Sequence, residues 1–223
     1  VPLTIVSGEL AASSFAPAPF ANNPTVLSDV ATRICRATVT VVAAQGLRAT
    51  TVDDIAVAAG CGRATIYRAF PGGRAELLLT VLDREVAAIF ELGTIAVRSC
   101  DEFAEAVTAA IHTAATALAD HAALQKLLAT EPGTVLPFIS FDGLDPLLAM
   151  AAEWGRLEFA RFTTDDDAEI AGEWAARVLF GHVRSPGAVL DVTDRAAVKR
   201  LVESFLLPGL SIKPRISTFT TSS

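Results

Sequence analysis

No long apolar run occurs in this chain. The longest uncharged stretch, "LAASSFAPAPFANNPTVLS", is broken by three prolines and by serines and asparagines, so it is unsuited to crossing a membrane. The opening "VPLTIVSGEL" lacks a basic region followed by an apolar block, and no signal peptide is expected. Cysteine is scarce. Cys35, Cys61 and Cys100 are odd in number and widely spaced, which fits a reducing cytoplasm better than a disulfide framework. They read as small buried hydrophobes, with Cys61 left open because it falls in a turn. The three histidines, His112, His121 and His182, have no metal-ligand spacing with the cysteines, so neither a metal nor a cofactor is expected. No Gly-x-Ser-x-Gly elbow, phosphate loop or dinucleotide fingerprint is present, and the chain does not read as an enzyme.

What is present is helical. The chain has 223 residues and is 52% hydrophobic, rich in alanine and valine, which favours a well-packed helical protein over a disordered one. No segment alternates with period two between turn residues, and no internal repeat is seen. The net charge is −7, unevenly placed. Residues 24–80 carry six arginines against four carboxylates, whereas residues 81–223 carry twelve basic against twenty acidic side chains. One end is suited to a polyanion and the rest is not.

Residues 1–23, rich in Ala, Ser, Pro and Asn, read as a flexible arm. A first helix is expected from Pro24, with Leu27, Val30, Ile34, Ala37, Val41 and Ala44 on one face and Gly46 ending it. Thr51 is an N-cap, and Asp53 and Asp54 suit the positive end of the next helix dipole. That helix carries Val52, Ile55, Ala56 and Ala59 on its apolar face and stops at Gly60. Gly62 opens another helix at Arg63, ending near Phe70. Two short helices about a glycine turn form a helix-turn-helix. After "PGGR" a long helix is expected over 74–97, then helices near 101–119, 122–129, 134–140, 143–162, 166–184 and 194–207. Thr164 with Asp165–Asp167, and Thr193 with Asp194, mark two of the starts.

The segment "TVDDIAVAAGCGRATIYRAFPGGRAELL" resembles the DNA-binding domain of the TetR-type transcriptional repressors. The motif is Thr-x-x-x-Ile-Ala-x-x-Ala-Gly, a turn, then Thr-Ile-Tyr-x-x-Phe and a basic residue opening the fourth helix, and it covers about residues 26–82. Two features depart from the commoner pattern: one extra glycine before Arg74, and Gly62 where many relatives carry a serine cap. The resemblance implies an all-α protein with an N-terminal three-helix DNA-binding domain (24–73), a larger helical ligand-binding and dimerisation domain (74–210) and a tail (211–223).

Both readings place DNA contacts on the second short helix. Arg63 can donate two bonds to guanine, and Thr65 and Ala64 can meet a thymine methyl. Arg68 faces outward beside them, while Ile66 and Phe70 anchor the helix to the core. By the family's pattern, Tyr67, Arg74 and Thr51 would hold phosphates. Arg33 and Arg36 read as a solvated face, and Arg48 stands open between contact and loop.

The resemblance also implies an effector pocket. Its candidates are Phe103, Val107, His112, Phe138, Trp154, Phe159 and Trp174, although a plain core is the simpler reading of the 101–119 stripe. Sparse charge and frequent aromatics there point to an elongated lipophilic guest such as a fatty acid or acyl derivative. The last two helices would form a homodimer through Leu179, His182, Val183, Val198, Leu201, Val202 and Phe205. The expected function is therefore a ligand-released repressor of a palindromic DNA operator, acting in the cytoplasm. The alternatives are a TetR-like activator or a helical protein-interaction module without DNA binding.

Overall fold

A computed structural model describes residues 27–139, 141–184 and 190–213. Ten α-helices occupy them: α1 Asp29–Gln45, α2 Val52–Ala58, α3 Arg63–Ala69, α4 Gly73–Arg98, α5 Phe103–Asp120, α6 Ala122–Thr130, α7 Pro132–Ile139, α8 Phe141–Phe159, α9 Asp165–Arg184 and α10 Arg195–Leu201. The fold is all-α. The one β element among the described residues is an isolated bridge between Thr163 and Ile212. No helix among them is long and apolar enough to cross a membrane.

Local chemistry sets the boundaries. α1 starts at Asp29 rather than Pro24, because the Ser28 hydroxyl accepts the Ala31 N–H and caps the helix there. α9 starts where the Thr164 hydroxyl accepts the Asp167 N–H at 3.2 Å. The last expected helix does not run unbroken to 207. α10 ends at Leu201, and the chain continues as a π-turn over Val202–Leu206 and a 3₁₀ turn over Leu207–Gly209.

The chain forms two compact units. One takes the described residues up to Glu91 together with Thr116–Met150; the other takes Leu92–Ala115 and the described residues from Ala151 onward.

In the first unit, Ala31, Ile34, Cys35 and Ala37 of α1 form one core with Ile55, Ala56 and Ala59, with Ile66 and Phe70, and with Leu77 of α4. Ile34, Ile55, Ile66 and Leu77 are fully buried. Each such side chain stabilises the fold by about 1.5–3 kcal/mol relative to exposure. Helix α6 also packs against α1. Its two ends are pinned. At its start the His121 Nδ1 accepts the Leu124 N–H at 3.1 Å, which leaves the proton on Nε2 to donate to Glu85 at 2.8 Å. The Glu85 carboxylate holds the His121 pKa above its usual value. At its end Glu131 accepts the Arg48 N–H with both carboxylate oxygens, at 3.3 and 3.1 Å. That bond fastens α6 to the loop between α1 and α2.

In the second unit, α8 and α9 meet backbone to backbone. A Cβ placed on Gly155 would lie 2.5 Å from the Ala168 carbonyl oxygen and 2.7 Å from the Gly172 Cα. A Cβ on Gly172 would run into the Ala151 carbonyl oxygen. Only glycine at both positions permits this approach. Arg161 donates to the carbonyls of Val97 and Cys100 at 2.7 and 2.8 Å, joining the Cys100 N–H on the Val97 oxygen where α4 ends. Glu105 on α5 pairs with Arg195 and Lys199 of α10.

Candidate nucleic-acid interface

Helices α2 and α3 form the expected helix-turn-helix. The Thr51 hydroxyl accepts the Asp54 N–H while Asp54 accepts the Thr51 N–H, a reciprocal capping box. The Thr51 hydroxyl also donates to Asp54, and this bond above all holds the Asp54 carboxyl below its usual pKa. Gly60 turns the chain at φ +60°. Gly62 precedes α3 with no side-chain cap, as its identity requires. Ile66 and Phe70, four apart, bury one face of α3, with Phe70 only 2% exposed.

The opposite face is what remains for contact. Arg63, Ala64, Tyr67 and Arg68 are exposed, and Thr65 is half-buried. Their roles in contact follow from chemistry, but their settings differ. Among the described residues Arg68 has no ion-pair partner and the Tyr67 hydroxyl no hydrogen bond. Arg63, by contrast, is gripped by Asp53 of α2, with Nε donating to one carboxylate oxygen and an Nη2 hydrogen to the other. Arg74 is exposed in the first turn of α4 and donates to the Leu47 carbonyl at 2.8 Å. The extra glycine has a clear place. Gly73 opens α4 at φ +68°, a conformation costly for any residue with a Cβ, and its N–H bonds the Phe70 carbonyl at 2.8 Å. A Cβ there would sit 3.5 Å from the Tyr67 ring, so Tyr67 lies against the turn that presents Arg74. The Arg48 side chain is exposed and lies 4.0 Å from Glu131, which also accepts the Arg48 backbone N–H.

Two features of this surface had no signal of their own in the sequence. Asp53 reads there as a helix-dipole residue, and its pairing with Arg63 crosses the turn. Val57, 84% exposed on α2, is an apolar side chain outside the buried face that carries Ile55 and Ala56.

Residues 34–81 match the family model "Bacterial regulatory proteins, tetR family". Those residues form a TetR-family DNA-binding domain. Such regulators are DNA-binding proteins and generally not enzymes. Among solved structures, the TetR family repressor AlkX from Dietzia sp. strain DQ12-45-1b, implicated in biodegradation of n-alkanes, is 16% identical. The match covers 79% of this chain and 94% of that one, with a TM-score of 0.59, and shows a shared fold. The probable transcriptional regulatory protein RHA5900 is 26% identical over 82% of this chain and 100% of that one, with a TM-score of 0.36. No curated protein sequence matches the chain.

The second unit holds most of the residues expected to line an effector pocket. Phe103, Val107, Trp154 and Phe159 are buried, while His112 and Trp174 are half-buried. The rings of Phe103 and Phe159 meet edge to face at 5.5 Å, and those of Trp154 and Phe159 at 5.3 Å. Trp154 donates its indole N–H to Thr94 at 2.9 Å. The side chain of Phe138 lies outside those the structure describes.

The expected dimer residues divide. Val198 and Val202 are fully buried within the single chain and Leu179 nearly so. Leu201 and His182 are half-buried, His182 lying 4.0 Å from Asp191, and Phe205 is 73% exposed. The Val183 side chain is outside the described ones. Among the described residues no His, Cys, Asp and Glu side chains gather in a metal-binding group.

Proposed function

We propose that this TetR-family regulator is a repressor that binds a palindromic operator as a homodimer and is released by a lipophilic small molecule such as a fatty acid or acyl derivative. The observation that carries the DNA contact is the outward face of α3: Arg63, Ala64, Tyr67 and Arg68 stay exposed on a helix that Ile66 and Phe70 fasten to the core. In this reading Arg63, with Ala64 and Thr65, meets base edges, and Thr51, Tyr67, Arg68 and Arg74 meet phosphates. Residues 24–73 are the DNA-binding domain and 74–210 the regulatory domain, with 1–23 an arm and 211–223 a tail.

A two-fold dimer sets its two recognition helices about 34–36 Å apart, one DNA turn. Phe205, Leu201 and His182 are the dimer candidates that keep exposed surface. The effector reading is supported by the apolar interior of the second unit. Among the described residues its buried polar side chains, Thr108 and Thr163, have their hydroxyls bound to the carbonyls of Ala104 and Ser211. Such an interior suits an apolar guest. A guest that prefers the conformation with the wrong helix spacing lowers operator affinity by its differential binding.

The test is a binding titration on duplexes enriched from a randomised DNA pool, repeated with added palmitate. The reading expects salt-sensitive binding and loss of affinity with palmitate. Release only by a compact, highly charged metabolite would overturn the effector class. Absence of DNA affinity at low salt would overturn the whole reading.

A further inference from the structure

The arginine at the start of α3 has a partner across the turn. Asp53 holds it through a two-point fork, and Asp53 sits on the other helix of the pair. The neighbouring carboxylate, Asp54, is committed to the capping box with Thr51, so Asp53 is the first-turn acid left over for another task. Both partners remain exposed after pairing.

Stereochemistry gives that fork a consequence. A guanidinium carries five N–H donors in one plane. Asp53 takes the side edge, made of Nε–H and one Nη2–H. The far end, made of the second Nη2–H and an Nη1–H, stays open, and this end-on pair matches the O6 and N7 acceptors of guanine. The acid therefore leaves the base-reading end available while fixing its direction. Its charge acts oppositely on the phosphates, which it repels.

We propose that Asp53 is a specificity-determining positioning residue, which aims the end-on donors of Arg63 at a guanine and by its own charge suppresses binding to sequences without that guanine. The inference rests on the DNA-binding reading and adds a residue that chooses among sequences rather than one that adds affinity. It predicts two effects of opposite sign on removing the acid. Affinity for unselected DNA rises, and discrimination at one base pair falls. A residue that only supports the fold would change neither in this paired way.

The experiment enriches duplexes from a randomised pool with the unaltered full chain. The selected duplex and its single-base variants are then titrated with this protein and with Asp53→Asn, Asp53→Glu and Arg63→Ala, each checked for an unchanged melting temperature. The unaltered protein is expected to lose about 10-fold or more in affinity when the read guanine is replaced, the worth of a good bidentate contact. Asp53→Asn should bind random duplex more tightly and lose most of that penalty at the same position. Arg63→Ala should lose the penalty there too, and Asp53→Glu should restore part of it. If Asp53→Asn keeps the full penalty at every position, or if Arg63→Ala leaves the guanine preference intact, the inference is overturned while DNA binding stands. If the unaltered protein enriches no duplex and shows no affinity at low salt, the inference and the reading beneath it both fall.

Discussion

Two helix pairs in this chain are fixed in opposite ways. α2 and α3 are seven residues each, joined by a glycine turn and held by a few large side chains, among them Ile55, Ile66 and Phe70. α8 and α9 are 19 and 20 residues and approach through the absence of side chains, at Gly155 and Gly172. In the first pair the anchors are few, so the opposite face is left for polar and cationic groups that can meet a partner. In the second the backbones themselves touch, and the surrounding rings of Phe103, Trp154 and Phe159 close on one another. The short pair presents side chains, whereas the long pair removes them.

Substitutions can break this contrast. The largest loss is expected from Phe70→Ala. Emptying that fully packed site should cost about 3–5 kcal/mol and abolish DNA binding with it, as read by thermal denaturation and duplex titration. If α3 kept its affinity without Phe70, the anchor account of the short pair would be wrong. Gly172→Ala comes next. Its methyl would be driven against the Ala151 carbonyl and sit 2.9 Å from the Gly155 Cα, so the helices must part. A loss of about 1–3 kcal/mol is expected in denaturant unfolding. An unchanged midpoint would mean that the close approach is not what joins α8 to α9.

Thr51→Ala is a smaller change. It removes one half of the capping box and should cost about 0.5–2 kcal/mol, whereas Thr51→Ser should restore most of it. The smallest effect is in pH. Lys199 first, and then Arg195, hold the Glu105 carboxyl below its usual 4.5. A carboxylate lowered in the folded state contributes its stability above the unfolded value and loses it as pH falls through the folded one. Glu105→Gln should therefore melt slightly earlier than the unaltered chain above about pH 4.5, and the difference should shrink below it. A difference that grew in acid would reverse the assignment.

The short pair was far more legible in the sequence than the long one, and the reason is physical. Turn and cap chemistry is local: Thr51, Gly60 and the run Thr164–Asp167 each act within a few residues, so helix ends could be read closely. The contact face of α3 followed from Ile66 and Phe70, whose four-residue spacing fixes which side is buried. What escaped was pairing between elements. The hold of Asp53 on Arg63 spans ten residues and a turn, and Glu131 reaches the Arg48 N–H from 83 residues away. The meeting of Gly155 with Gly172 depends on which faces of two helices oppose each other, which neither periodicity states. Val198 and Val202 show the same limit. Their spacing marks an apolar stripe without saying whether the chain itself or a second copy covers it.

The central claim is that the exposed face of α3 and the first turn of α4 bind duplex DNA. The most direct measurement is fluorescence anisotropy of a labelled duplex titrated with the unaltered chain and with Arg74→Ala over a series of salt concentrations. The account predicts log affinity falling linearly with log salt, by about 0.9 per phosphate contact, and a slope shallower by about that amount for Arg74→Ala. No affinity at low salt, or an identical slope in the two proteins, would contradict it.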